Sequence, residues 1–555
     1  MALRQNLICS CLAVTLLGFV PIRTPGEPQN ANFPGSKLAG GYRIAGTMVN
    51  KIDSHPLSRA RVTITDTKNS QNFQYVITSD NGKFEFMGVQ AGKYSLTGRK
   101  RGYIAAAYDQ HDQYSTAIVT GAGLDTEILT LRLAPDAIIS GKVLDESGEP
   151  VRHANVSLYY NDHSAGVDRV HQTNNVQTDD QGTYEVTPVQ PGTYFLSAGA
   201  QPWYAIHPAT GPDASEPGKN NAIAVDRSLD VAYPLTFYAD ASDADSATPI
   251  PVRGGDHLQI DIHLNPVPAL RLLFHVDPKT GAIPQLEQPV FEGSNYVQAG
   301  GAHQVSPGVM EISGVPAGHY NIRLPNAGTW QQMNGVDLSQ DGEEIDTASA
   351  ETLSDIKVSV QISGESKIPG GLVIGLRAAH KISATGQRID AKGEARFQQL
   401  AAGSYEVIVQ GGPQPYSIVR LTAEGAQVSG QAVTIAAGSS PSIVITLAAG
   451  DVEVDGIAHK AGHPSAGAMV VLVPKNPEMN HSLFRRDQSD LDGTFTLHAV
   501  VPGSYTLLAI EDGWDLDWAQ PSVISVYLKR GQKIEIGAQS GRHMNVPQAV
   551  VVQSK

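Results

Sequence analysis

Five times along this chain a glycine in a turn is followed ten residues later by a second glycine, with a tyrosine two residues beyond it. The turn glycines are Gly82, Gly182, Gly308, Gly393 and Gly493; the second set is Gly92, Gly192, Gly318, Gly403 and Gly503; the tyrosines are Tyr94, Tyr194, Tyr320, Tyr405 and Tyr505. Between the glycines, apolar residues recur at plus four (Phe86, Val186, Ile312, Phe397, Leu497) and at plus seven (Val89, Val189, Val315, Leu400, Val500). A register kept five times is the signature of one structural unit repeated.

Each copy reads as strand, bend, strand. In "GKFEFMGVQAGKYSLTG" apolar and polar residues alternate with period two, "QAG" turns, and the alternation resumes. The glycines suit the positive-φ positions that side chains resist. A Gly-x-Tyr opening a strand predicts a tyrosine corner, with the ring at the sandwich end and the hydroxyl capping a loop backbone group, so the five tyrosines are expected to be structural. A further strand pair precedes each copy, as in "AIISGKVLDESGEPVRHANVSLYY" with "DESGEP" as its turn. Together these segments make antiparallel units of about seven strands, the size of a β-sandwich.

At 555 residues the chain is too long for one core. Its 55 glycines and 34 prolines are spread throughout and no long helical pattern interrupts them, so the expected fold class is all-β. A formal net charge of −15 argues against a phosphate-binding surface, since nucleic-acid affinity needs clustered Lys and Arg. The start, "MALRQNLICSCLAVTLLGFVPIRTPG", has Arg4, an apolar run from Leu7 to Val20 and then Pro21. That run is short for a bilayer span and reads as an export signal over residues 1–26. Cys9 and Cys11 both fall within it, so the expected mature chain has no thiol chemistry, disulfide or Cys-ligated metal.

The run "ISGKVLDESGEPVRHANVSLYY" followed by "TDDQGTYEVTPVQPGTYFLSA" resembles the carboxypeptidase regulatory-like domain, a transthyretin-like β-sandwich also grouped with carbohydrate-binding-like folds. The first two units match most closely, the fifth well, and the third and fourth only through the Gly-to-Gly-x-Tyr frame. The resemblance implies a tandem array of about five transthyretin-like or immunoglobulin-like sandwiches in an exported multi-domain bacterial protein. The expected boundaries are a linker at 27–41, sandwiches at 42–134, 135–265 (with an insertion at 201–230), 266–350, 351–449 and 450–540, and a C-terminal tail at 541–555. Short linkers such as "LAPD" and "LNPVP" predict neighbours stacked as a semi-rigid rod.

The family name prompts a search for catalytic groups. None of the 17 histidines is followed three residues later by Glu or Asp, and neither His-Glu-x-x-His nor Gly-x-Ser-x-Gly occurs. Ser354 and Lys357 make a Ser-x-x-Lys, but on a strand they face opposite ways. "DLDG" at Asp490–Gly493 looks like the start of a calcium loop, yet Val501 stands where the twelfth-position glutamate belongs. No metal, cofactor or catalytic residue is expected.

Aromatic residues are the remaining candidates. Trp203, Trp330, Trp514 and Trp518 all follow a Gly-x-Tyr strand, with Tyr103 and Tyr416 at matching places in the first and fourth units and Tyr204 beside Trp203. Flat rings with nearby carboxylates, as in "EDGWDLDWAQ", suit the CH faces of sugars; the competing reading is that each ring plugs its own sandwich. The expectation is a non-catalytic exported β-sandwich protein, periplasmic, outer-envelope associated or secreted, monomeric and binding carbohydrate through Tyr103, Trp203, Tyr204, Trp330, Trp514 and Trp518. A structural stalk or protein-binding accessory subunit of the envelope stays open as the alternative. So does a hydrolase using groups of the insertion such as His207 and Asp213.

Overall fold

The computed structural model describes residues 41–555 apart from 122, 209–225, 277–282, 298, 327–328, 366, 379–383 and 538–541. The export signal, both cysteines and Asp213 lie outside the described residues. Among the described residues the regular structure is dominated by strands, with one α-helix, Pro521–Leu528, and a few 3-10 turns.

The Gly-to-Gly-x-Tyr frame is the place where the chain crosses from one sheet to the other. In the first unit Lys83–Val89 pairs antiparallel with Tyr42–Asn50, which also pairs in parallel with Leu129–Leu133. The next strand, Gly92–Arg99, belongs to the opposite sheet, in the order Asn69–Ile77, Arg61–Asp66, Gly92–Arg99 and Ala106–Ala107. The same division separates Thr183–Val189 from Gly192–Gly199, Val309–Val315 from Gly318–Asn326, and Glu394–Leu400 from Gly403–Gly411. In the fifth unit Thr494–Val500 and Gly503–Ile510 pair with Val452–Lys460 and Met469–Pro474 respectively, but there Val550–Gln553 bridges the two sides into one nine-stranded sheet.

Just before each crossing the register shifts, opposite Tyr42/Ile44, Ala137/Ile139, Leu270/Leu272, Ser354/Ile356 and Val452/Val454. Such a bulge bends its strand, which here turns the chain toward the second sheet. The backbone takes positive φ at Gly88, Gly314, Gln399 and Ala499 in four of these bulges.

The plus-four and plus-seven side chains are all buried, and each unit has its own core. A further pairing in these cores separates the units. Gly46, Gly141 and Gly456 lie opposite Phe84, Tyr184 and Phe495. A Cβ on Gly456 would stand 2.3 Å from the Phe495 ring, and one on Gly141 would meet the Ile260 carbonyl at 1.8 Å. The third and fourth units lack this glycine–aromatic pair and place Phe274 opposite Met310 and Val358 opposite Ala395 instead.

Two expectations change. The segment set aside as a tail supplies strands: His543–Asn545 and Val550–Gln553 pair in parallel with Val452–Lys460, and Val550–Gln553 also joins Gly503–Ile510. Val550 and Val552 are buried there, so the alternating apolar residues of "AVVVQ" complete a core. The units also do not stack solely with their sequence neighbours. The fifth sandwich docks on the first and second, 373 residues away for the pair Ala117 and Asp490.

Candidate functional site

The corner tyrosines come first because they set the loops beyond them. Each hydroxyl donates to the carbonyl four residues upstream: Tyr94 to Gln90 (3.3 Å), Tyr194 to Gln190 (2.9 Å), Tyr320 to Pro316 (2.7 Å), Tyr405 to Ala401 (2.8 Å) and Tyr505 to Val501 (2.8 Å). Burial raises all five phenols above their ordinary range, so the hydroxyls stay protonated donors. The aromatic loops leave from strands anchored in this way.

Those loops do not form one surface. Trp203 is 88% exposed, with Tyr204 edge-on at 5.9 Å. The Tyr204 hydroxyl donates to Glu146, and Tyr233 donates to the other oxygen of the same carboxylate at 3.0 Å. Burial pushes Glu146 up, but these hydrogen bonds outweigh it and hold the carboxyl below its usual range; burial and Glu146 together push Tyr204 to about 12. Trp330 is half-buried on Thr329–Leu338 with the Arg323 guanidinium 5.4 Å from its ring. Tyr103 is half-buried against the first core and bridges to Pro135.

Trp514 and Trp518 face inward, onto the junction of the fifth sandwich with the first two. The Trp514 indole stacks on His111 at 5.0 Å, and Trp518 is only 9% exposed. Arg486 lies between them, 4.2 Å from the Trp518 ring, 5.2 Å from Tyr114 and 5.9 Å from Trp514. It donates to the Ser164 carbonyl (2.8 Å) and to Asp112 (3.2 Å). Gly166 fits beneath Trp518 because a Cβ there would meet the ring at 2.5 Å. In this arrangement both indoles pack at the junction, Trp518 buried and Trp514 half-buried against His111.

One acid of the calcium-like turn, Asp490, serves the same junction, and the other is used within the turn. Asp490 accepts from Lys93 Nζ (2.6 Å) and from the Ala117 amide (2.9 Å), while Asp492 accepts from the Thr494 amide (3.1 Å). Among the described residues no three His, Cys, Asp or Glu side chains are grouped as metal ligands. Ser354 is buried and donates to the Ala436 carbonyl, whereas Lys357 pairs with Glu394. His207 pairs with Asp230 at 2.8 Å.

Two clefts open where the flagged loops run. One, of about 870 Å³, lies between the first and second sandwiches, and the stretch from Ile104 to Gln113, which follows Tyr103, forms much of its wall. The other, of about 490 Å³, lies between the second and third and is lined by Asn155, Ser157, Asn175, Gln201, Gln288 and Asn295, with Tyr296 63% exposed. Tyr233 lines this second groove, so its bond to Glu146 links the groove to Tyr204 and Trp203. Sequence reasoning missed Glu146, Tyr233 and Arg486. Glu146 stood in plain view in "DESGEP", where it read as a turn former.

Residues 43–132 and 138–207 match the family model of the carboxypeptidase regulatory-like domain. Two stretches of the chain are therefore similar to this domain. These two stretches contribute the walls of the larger cleft and one side of the smaller. No curated protein matches the chain. Among solved structures, the Bacillus anthracis TIE protein aligns at 9% identity over 92% of this chain and 72% of its own, with a TM-score of 0.18. A streptococcal ancillary pilin aligns at 12% identity over 52% of this chain and 99% of its own, with a TM-score of 0.19. BcpA, the major pilin subunit of Bacillus cereus, aligns at 10% over 73% and 99%, with a TM-score of 0.14. At such scores the likenesses carry no argument about function. No helix among the described residues is long and apolar enough to cross a membrane.

Proposed function

We propose that this protein is a non-catalytic, exported binding element of the cell envelope that takes carbohydrate in the groove between its second and third sandwiches. The observation that carries the reading is the groove's lining, five amide side chains and a serine with a tyrosine at the edge. Amides both donate and accept, which matches sugar hydroxyls, and an exposed ring matches their CH faces. Part of the lining is already ordered: Asn175 donates to Ser157 Oγ at 2.9 Å. Trp203 and Tyr204, tied to the groove through Glu146, extend it with a second aromatic surface. The test is a glycan array with neutral oligosaccharides, comparing the parent with Trp203→Ala and with Asn175→Ala/Asn295→Ala. Saturable binding that falls about tenfold in folded variants supports the reading; no binding by the parent refutes it.

One observation favours the alternative of a protein-binding accessory subunit. The edge strand Asn69–Ile77 has no charged residue and leaves Phe73, Tyr75 and Ile77 more than half exposed. Edge strands are ordinarily guarded by charge, and an unguarded one can accept a strand from another chain. Binding to an envelope extract that is abolished by Tyr75→Lys, without any glycan binding, would favour this reading over the first.

A further inference from the structure

The larger cleft differs in chemistry from the groove, and the difference lies in which of its charges are already used. Asp112 is paired with Arg486. Asp162 accepts from the amide and hydroxyl of Ser164, both at 2.9 Å. Asp109 accepts from Thr116 at 3.3 Å and from Gln488 at 3.5 Å. Each acid of the wall therefore has protein donors.

The bases do not have matching acceptors. Lys51 and Arg132 also line the cleft, and among the described residues neither side chain has a hydrogen-bonded or ion-paired acceptor. Their proximity is fixed by the sheet: Val49 lies opposite Arg132 in the parallel pair, and the Lys51 amide donates to the Leu133 carbonyl at 2.8 Å. Two cations thus line one cleft from the ends of adjoining strands in a chain whose net charge is −15. Tyr108 and Tyr160, both partly buried, line the same cleft together with Gln190 and Thr130.

We infer that the cleft between the first and second sandwiches binds an anionic saccharide, with a sugar carboxylate held by Lys51 and Arg132 and the ring laid along Tyr108 or Tyr160. The inference rests on the carbohydrate reading above and assigns a second site of different charge. A carboxylate can take the fixed fork of Arg and the point charge of Lys together, and the cleft's volume of about 870 Å³ accommodates several sugar rings. The fifth sandwich shapes this site without contributing the cations, because Arg486 holds both Asp112 and the Ser164 carbonyl on the far wall. Arg486 is in this sense a positioning residue.

The experiment is calorimetry on the full chain with trigalacturonate, maltotriose and triglutamate as probes, at low and at high salt. The parent is expected to bind trigalacturonate with an affinity that falls as salt rises. Lys51→Ala/Arg132→Ala removes two exposed side chains and is expected to weaken trigalacturonate by about tenfold or more while leaving maltotriose unchanged. Arg132→Lys, which keeps the charge, is expected to recover part of the loss. Absence of trigalacturonate binding, undiminished binding in the double variant, or triglutamate binding as tight as the uronate would overturn the inference. Maltotriose binding without uronate binding would overturn this site alone, whereas uronate binding without any neutral-sugar binding would refute the groove reading alone.

Discussion

Replacing Arg486 with alanine should undock the fifth sandwich while leaving all five cores folded. The Arg486 side chain is 5% exposed, and it holds the Ser164 carbonyl at 2.8 Å and Asp112 at 3.2 Å among three aromatic rings. Losing one partner of a buried ion pair costs about 3–5 kcal/mol. Asp112 is 28% exposed and regains solvation, which lowers that cost to about 2 kcal/mol, while the lost contact with Trp518 adds about 1 kcal/mol. A net loss of about 3 kcal/mol in docking is a factor of about 100 in the docked-to-undocked ratio. Hydrogen exchange reads this directly, because the Ala117 amide is bonded to Asp490 and the Leu491 amide to the Ala117 carbonyl, across the junction. Both amides should exchange about 100-fold faster, small-angle scattering should report a larger radius of gyration, and core amides such as that of Leu96 should be unaffected. Unchanged exchange at Ala117 and Leu491 in a folded variant would refute the assignment of Arg486 as the clamp.

Three other outcomes are expected. Burial pushes the Asp487 carboxyl from 3.8 to about 6, although the Thr496 amide donates to it at 2.7 Å. A raised carboxyl favours the native state while protonated, so its stabilisation is complete below pH 4 and is lost as pH climbs through 6, on the order of 2–3 kcal/mol in all. Asp487→Asn should remove that part of the pH dependence in urea melts between pH 4 and 7 and raise stability at pH 7; an unaltered profile would show that Asp487 is not its source. Tyr320→Phe leaves the Pro316 carbonyl unpaired in a buried corner and should cost about 1–2 kcal/mol by thermal melting, more than Tyr94→Phe, whose hydrogen bond is 3.3 Å. The reverse order would contradict the corner geometry. Gly141→Ala, which drives a Cβ to 1.8 Å from the Ile260 carbonyl, should cost about 2–3 kcal/mol, and a neutral result would mean that the segment carrying Ile260 gives way freely beside Gly141.

The sandwich unit was legible in the sequence because its determinants are local. Period-two alternation decides which face of a strand is buried, and a glycine or tyrosine at a fixed offset decides a turn or a corner within a few residues of itself. Thus Phe86, Val186, Ile312, Phe397 and Leu497 could be assigned to cores from spacing alone. The weaker likeness of the third and fourth units also has a local counterpart: the glycine–aromatic pair of the other units is replaced by Phe274 opposite Met310 and by Val358 opposite Ala395, so that part of the motif is lost.

What the tertiary structure alone decided is how the units meet. Trp514 and Trp518 read as sugar platforms because a sequence shows an aromatic ring and its neighbours in the chain, whereas His111, Tyr114 and Gly166, which cover them, lie hundreds of residues away. Asp490 read as an ordinary turn acid, and only the fold places Lys93 and the Ala117 amide against it. Alternation and turn chemistry repeat in every unit and announce themselves, but a junction is made once, from single side chains on surfaces without periodicity. The sequence by itself determined the sandwich; the docking of the fifth sandwich on the first two, and with it the shape of the larger cleft, depended on packing between segments that the chain keeps far apart.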